Sequence, residues 1–173
     1  DQHTADAGVN TRIDAFLDVI RNYRKSFQIK LPVSNGHYKP AQIVAEGRES
    51  IFIDSDGRKF NLKDPDVQLV VPCFGDMAAA LFAASLRSLG YNAIAMPEMD
   101  HDIVSTGLKY TSGKECLPLI LLAGTLMQYV TKNGHEGKKS AFFNIGGTSA
   151  CRVAQYPVFL TNLVKSEEIR DIA

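Results

Sequence analysis

From Asp66 onward the apolar residues change rhythm repeatedly between short β-branched runs and long Ala/Leu stretches. No other feature constrains the fold as much. Val67 to Val71 is nearly continuous in apolar side chains, as a strand buried on both faces requires. Asp76 to Leu89 follows at helical spacing and stops at Gly90, and Asn92 to Met96 returns to strand character. Leu117 to Lys132 reads as a long helix closed by Asn133-Gly134, Ser140 to Ile145 as a third strand, and Arg152 to Val164 as a last helix that Pro157 kinks or delays. Strands alternating with helices predict an α/β fold, an open and mainly parallel sheet with crossover helices of the Rossmann or flavodoxin type.

Residues 1–65 have a different character and predict a helix followed by a small β unit, set apart from an α/β domain over 66–173. Ile13, Phe16, Leu17, Ile20, Tyr23 and Phe27 recur at helical spacing, with Asn10 or Thr11 as the cap. Tyr38 to Ala45 and Ser50 to Leu62 are strand-like, and Asp56-Gly57 marks a hairpin turn within the second. The chain begins at Asp1 and ends in the charged run Lys165 to Asp171, which reads as a piece of a longer protein.

Composition narrows the function by exclusion. Nineteen basic residues balance nineteen acidic ones, so no nucleic-acid or anionic-membrane surface is predicted. The apolar stretches near 77–86 and 117–130 are shorter than the roughly 20 residues of a membrane span. Three widely spaced cysteines are too few, and odd in number, for a disulfide framework, which points to a reducing, cytoplasmic setting.

Those cysteines, Cys73, Cys116 and Cys151, each fall where a helix is expected to begin. Helix starts present unpaired N–H groups and partial positive charge, which favours thiolate. Ligands of open α/β sheets bind beyond the carboxyl ends of the strands, where Cys73 and Cys151 are expected. A right-handed crossover adds Cys116 to the same edge. Buried cysteines commonly serve as small apolar fillers, so position alone leaves filler and metal ligand both open. With His101 the three make a Cys3His zinc set, although zinc sites normally contain a close pair such as C-x2-C, absent here. An iron–sulfur cluster needs only soft thiolates that converge in space.

Other residues near these cysteines carry weaker signals. Gly146-Gly147-Thr148-Ser149 fits a tight turn or a phosphate cradle, without the P-loop or dinucleotide spacing. Lys114 and Arg152 place cations beside Cys116 and Cys151, and Gln155 and Tyr156 follow Cys151 by one helical turn. Asp100-His101-Asp102 reads mainly as an acidic loop after a strand, with metal binding or acid/base work as the other reading.

At these positions the chain resembles the activator-related proteins of the 2-hydroxyacyl-CoA dehydratase and benzoyl-CoA reductase group. The resemblance runs from about Val70 to Leu160 and rests on Val71-Pro72-Cys73-Phe74-Gly75-Asp76, Met96-Pro97-Glu98, the Thr111-Ser112-Gly113-Lys114-Glu115-Cys116-Leu117-Pro118 segment and Cys151-Arg152-Val153-Ala154-Gln155-Tyr156. Where the family has Gly-Pro before its last motif cysteine, this chain has Ser149-Ala150. The resemblance implies an iron–sulfur cluster, 4Fe-4S or a related double cluster, on Cys116 and Cys151. Cys73 is added by its position, and Lys114, Arg152, Gln155 and Tyr156 surround the cluster. It implies low-potential electron transfer with an ATP-hydrolysing partner or domain, ATP being bound only there, and a homo- or heterodimeric assembly. Against this stands a non-catalytic scaffold or subunit-docking domain with structural cysteines or a zinc site.

Overall fold

The computed structural model describes residues 38–133, 138–147 and 151–173, together with helical residues 9, 13, 14, 16–18, 20 and 21. Three short strands come first: β1 (Gln42–Glu46), β2 (Glu49–Ile53) and β3 (Lys59–Asn61). The alternating part comprises β4 (Val67–Val71), α1 (Asp76–Ser88), β5 (Asn92–Ala95), α2 (His101–Lys109), α3 (Leu117–Asn133) and β6 (Lys139–Phe142). A 3-10 turn, Arg152–Gln155, leads into α4 (Tyr156–Ser166).

The expected α/β character is present as two sheets. One is antiparallel in the order β1-β2-β3; the other is parallel in the order β5-β4-β6. In the parallel sheet Val71 lies beside Ala95, and Val70 beside Phe142. Backbone hydrogen bonds also run between Ser140 or Phe142 and residues 171–173, so the end of the chain lies alongside β6.

Val67, Val70 and Val71 are fully buried, as their β-branched run predicts for a central strand. Their alternation divides the interior into two cores. Val70 packs with Leu126 and Val130 of α3 and Leu160 and Leu163 of α4. Val67, Leu69 and Val71 pack with Ala79 and Ala83 of α1, and also with Ala41 and Phe52 from the small β unit. Polar contacts hold that unit in place. The Tyr38 hydroxyl donates to the carbonyls of Val164 and Ile169, and Ser55 and Asp171 exchange hydrogen bonds through side chain and backbone.

Asp54 is almost fully buried in the β2–β3 turn and accepts from the backbone of Asp56 and from the backbone and guanidinium of Arg58. Burial pushes its carboxyl up, but these hydrogen bonds outweigh that and leave it below its ordinary value. Gly57 has φ +85, the left-handed geometry that the Asp-Gly signal anticipates.

Several expectations are corrected in detail. The third strand is shorter than Ser140 to Ile145, ending at Phe142. The last helix begins at Tyr156 with Pro157 in its first turn, because proline is tolerated where no intrahelical N–H is needed. The acidic segment from Asp100 opens a helix. Asp100 accepts from the Ile103 N–H at 2.9 Å and caps α2. α2 then lies against α3 with Gly107 and Gly124 at the contact. A Cβ on Gly107 would sit 2.0 Å from the Ile120 carbonyl oxygen, and one on Gly124 2.0 Å from that of Ile103. Of the N-terminal helix, Ile13, Phe16 and Leu17 are exposed; the cap at Asn10 or Thr11 and the residues Tyr23 and Phe27 lie outside the described residues.

Candidate cysteine centre at the sheet edge

The carboxyl ends of all three parallel strands open onto one cleft of about 260 Å³. Pro72 and Cys73 enter it after β4, Met99 after β5 and Asn144 after β6, while Pro118 comes from the start of α3 and Tyr156 from the start of α4. Its walls are almost wholly apolar. Phe143 lines the same space, braced by Phe82 of α1 with ring centroids 4.9 Å apart.

Of the three cysteines, Cys73 alone lines this cleft, and it is buried. It stands two residues before Gly75, the cap of α1, so the expected helix-start position holds only loosely for it: the strand-to-helix loop intervenes. Its thiol lies 3.6 Å from Asp76 Oδ1, and Asp76 in turn is hydrogen-bonded to Glu98. That bond, with the Asp76 charge, raises the Glu98 carboxyl above its ordinary value.

Cys116 directly precedes α3, and its carbonyl accepts from the N–H groups of Leu119 and Ile120 as a cap does. Its Sγ lies 2.7 Å from the Tyr156 hydroxyl. This hydrogen bond is the main cause that holds the Cys116 thiol below its ordinary value; the N–H groups of the helix start and the Arg152 charge add to it against a desolvation cost. The Tyr156 phenol is pushed the other way, up to about 12, by burial first and then by Cys116 and Cys151. The bond joins two groups that each carry a proton, and the phenol donates to sulfur whenever the thiol is ionised.

Cys151 is exposed and caps the 3-10 turn. Its influence on the phenol brings it into the same electrostatic neighbourhood as Cys116. Tyr156 thus links two of the cysteines: it binds Cys116 and shares the cleft wall with Cys73.

The remaining expected site residues divide. Arg152 acts on Cys116 through its charge, as its position beside Cys151 suggests. Lys114 and Gln155 are exposed, and Lys114 is engaged through its backbone N–H with Glu115. His101 is exposed at the first position of α2. Gly146 and Gly147 are exposed, while Thr148, Ser149 and Ala150 lie outside the described residues.

Glu115 has a role that residue-by-residue reading missed. Its carboxylate accepts from the Ser112 N–H, the Ser112 hydroxyl and the Lys114 N–H, and folds the loop before Cys116 onto itself. Burial raises its carboxyl, but these bonds prevail and leave it lowered. The Ser112-x-x-Glu115 spacing, that of a capping box, was the available signal.

Among the described residues, no three His, Cys, Asp or Glu side chains come together as a group able to hold a single metal ion. Thiolates are the soft donors that a cluster takes; Cys73 lines the apolar cleft, and Arg152 places a cation near Cys116. No helix among the described residues is long and apolar enough to cross a membrane. Comparisons with protein families, curated proteins and solved structures returned no match to the chain.

Proposed function

We propose that this chain is an iron–sulfur-cluster-binding α/β domain of an ATP-coupled, low-potential electron-transfer system of the kind used to activate 2-hydroxyacyl-CoA dehydratases. The observation that carries the reading is the Cys116–Tyr156 hydrogen bond at the carboxyl edge of the parallel sheet, where Tyr156 also shares the cleft wall with Cys73. The β5-β4-β6 order with helices between strands supports an open, doubly wound arrangement, in which this edge is the usual ligand side.

Cys73, Cys116 and Cys151 would hold the cluster, whose chemistry is to accept and release single electrons. The chain's own residues prepare that position. The Tyr156 hydroxyl and the start of α3 favour thiolate at Cys116. Arg152 offsets negative charge near that sulfur. Phe143, Leu122 and Met99 keep water from the cleft wall, which favours retention of a sulfide-rich group. ATP hydrolysis belongs to a partner, and a reducing cytoplasmic setting suits thiolates.

Anaerobic reconstitution with ferrous iron and sulfide tests this. The expected result is a visible charge-transfer band, an EPR signal on reduction, and loss of bound iron when Cys116→Ser or Cys151→Ser is introduced. Iron near zero in the wild-type chain, with no signal on reduction, overturns it in favour of a docking domain with structural cysteines.

A further inference from the structure

Outside the cysteine centre, the most unusual surface is the outward face of α1. At 100° per residue, Ala79, Phe82, Ala83 and Leu86 point to the core, and Met77, Ala80, Leu81, Ala84, Ser85 and Ser88 form the opposite side. Met77 is 77% and Leu81 62% exposed. No charged residue lies on this face between Asp76 and Arg87. A solvent-facing helix side is normally polar.

The polar atoms that the face does carry are already satisfied. Ser85 Oγ donates to the Leu81 carbonyl at 2.9 Å, and Ser88 Oγ to the Ser85 carbonyl at 2.7 Å. Covering them therefore strands no hydrogen-bonding group. Leu89, just past the end of α1, is exposed as well.

Charge sits only at the two ends, and with opposite sign. Asp76, bonded to Glu98, marks the helix start, and Arg87 lies eleven positions later on nearly the same side of the helix. One guanidinium nitrogen of Arg87 donates to the Ala93 carbonyl, which leaves the other donors of its fork for a second acceptor. Such a face is complementary to itself when it is turned end for end.

We propose that α1 docks against α1 of a second copy of this chain, antiparallel about a twofold axis near Ala80 and Leu81. In that register Met77 covers the partner's Ala84, and Leu81 covers the partner's Ala80. Large side chains thus fall on small ones twice, and the small ones let the helix axes approach closely. Arg87 simultaneously reaches toward the acidic Asp76–Glu98 pair of the other copy, and the aligned helices run with opposed dipoles. One helix pair is a small interface, so a reversible dimer of micromolar strength is expected.

Sedimentation equilibrium of the 173-residue chain, at concentrations on the order of 100 µM, tests this by mass rather than by iron content. A dimer is expected for the wild type and a monomer for Leu81→Glu, whose exposed position leaves the far-UV circular dichroism unchanged. Arg87→Glu should weaken association a few-fold, and adding Glu98→Lys should restore it, which a lost Ala93 contact alone would not allow. A monomeric wild type, or a Leu81→Glu variant that still dimerises, overturns the proposal and gives the face to a different occupant.

Discussion

The sulfur of Cys116 and the hydroxyl of Tyr156 lie 2.7 Å apart, although 40 positions separate them in the chain. This contact ties the start of α3 to the start of α4, whose Tyr156 lines the apolar cleft.

Removing the phenol should move the titration of that thiol. In metal-free protein carrying Cys73→Ser and Cys151→Ser, the alkylation rate of Cys116 follows the thiolate fraction. The hydrogen bond from Tyr156 lowers the thiol below its ordinary value, so reactivity persists to lower pH in the folded protein than in a free thiol. Tyr156→Phe should shift the rate–pH profile upward. An unshifted profile would mean that the helix start and Arg152 alone set the thiol.

The glycine contact between α2 and α3 should tolerate no side chain. A Cβ at Gly107 or Gly124 would stand 2.0 Å from a backbone oxygen of the opposite helix, so the two helices must separate. Gly107→Ala and Gly124→Ala should each destabilise the protein by about 3 kcal/mol, the upper end of overpacking costs, in denaturant unfolding. A loss within about 0.5 kcal/mol, typical of a surface change, would show that the helices slide freely.

Asp54 should make the small β unit acid-sensitive. Its folded value is lowered, so its contribution is full above the unfolded carboxylate value of about 3.9 and is lost as pH falls through the lower folded value. Urea midpoints between neutral and acid pH should converge for wild type and Asp54→Asn only at the acid end. At neutral pH, Asp54→Ala should cost on the order of 2 kcal/mol through its lost hydrogen bonds to Arg58 and Asp56.

Glu115→Ala should loosen the loop ahead of Cys116 without unfolding the protein. Three hydrogen bonds to this carboxylate close the segment around Lys114. Local opening easier by about 1.4 kcal/mol would raise the rate of tryptic cleavage after Lys114 about tenfold. An unchanged cleavage rate would show that the loop is held by α2 and α3 instead.

Elements whose identity is local were legible. Val67 to Val71 emerges as a strand with the expected bounds, and Gly90, at φ +90, follows α1 where a terminating glycine was expected. α2 was missed because nine residues containing Gly107 and a polar, acidic start resemble a loop, and only the Asp100 cap and the fit against α3 reveal a helix. Position relative to a helix end was also too coarse a guide for Cys73, since the length of the loop before α1 is set by how β4 hands over to Gly75.

The amino-acid order by itself determined the alternation of strands and helices, the turn glycines and the placing of all three cysteines after strands or before helices, because each depends on residues within one or two turns of one another. The tertiary structure alone decided that the thiols differ in kind: Cys73 buried in the cleft, Cys116 bound to a phenol, Cys151 exposed. It also decided that Asp100 caps a helix and that the outer side of α1 is left apolar and uncovered. These outcomes depend on which distant segments the sheet brings together, and packing across a sheet leaves no periodic trace in the chain that carries it.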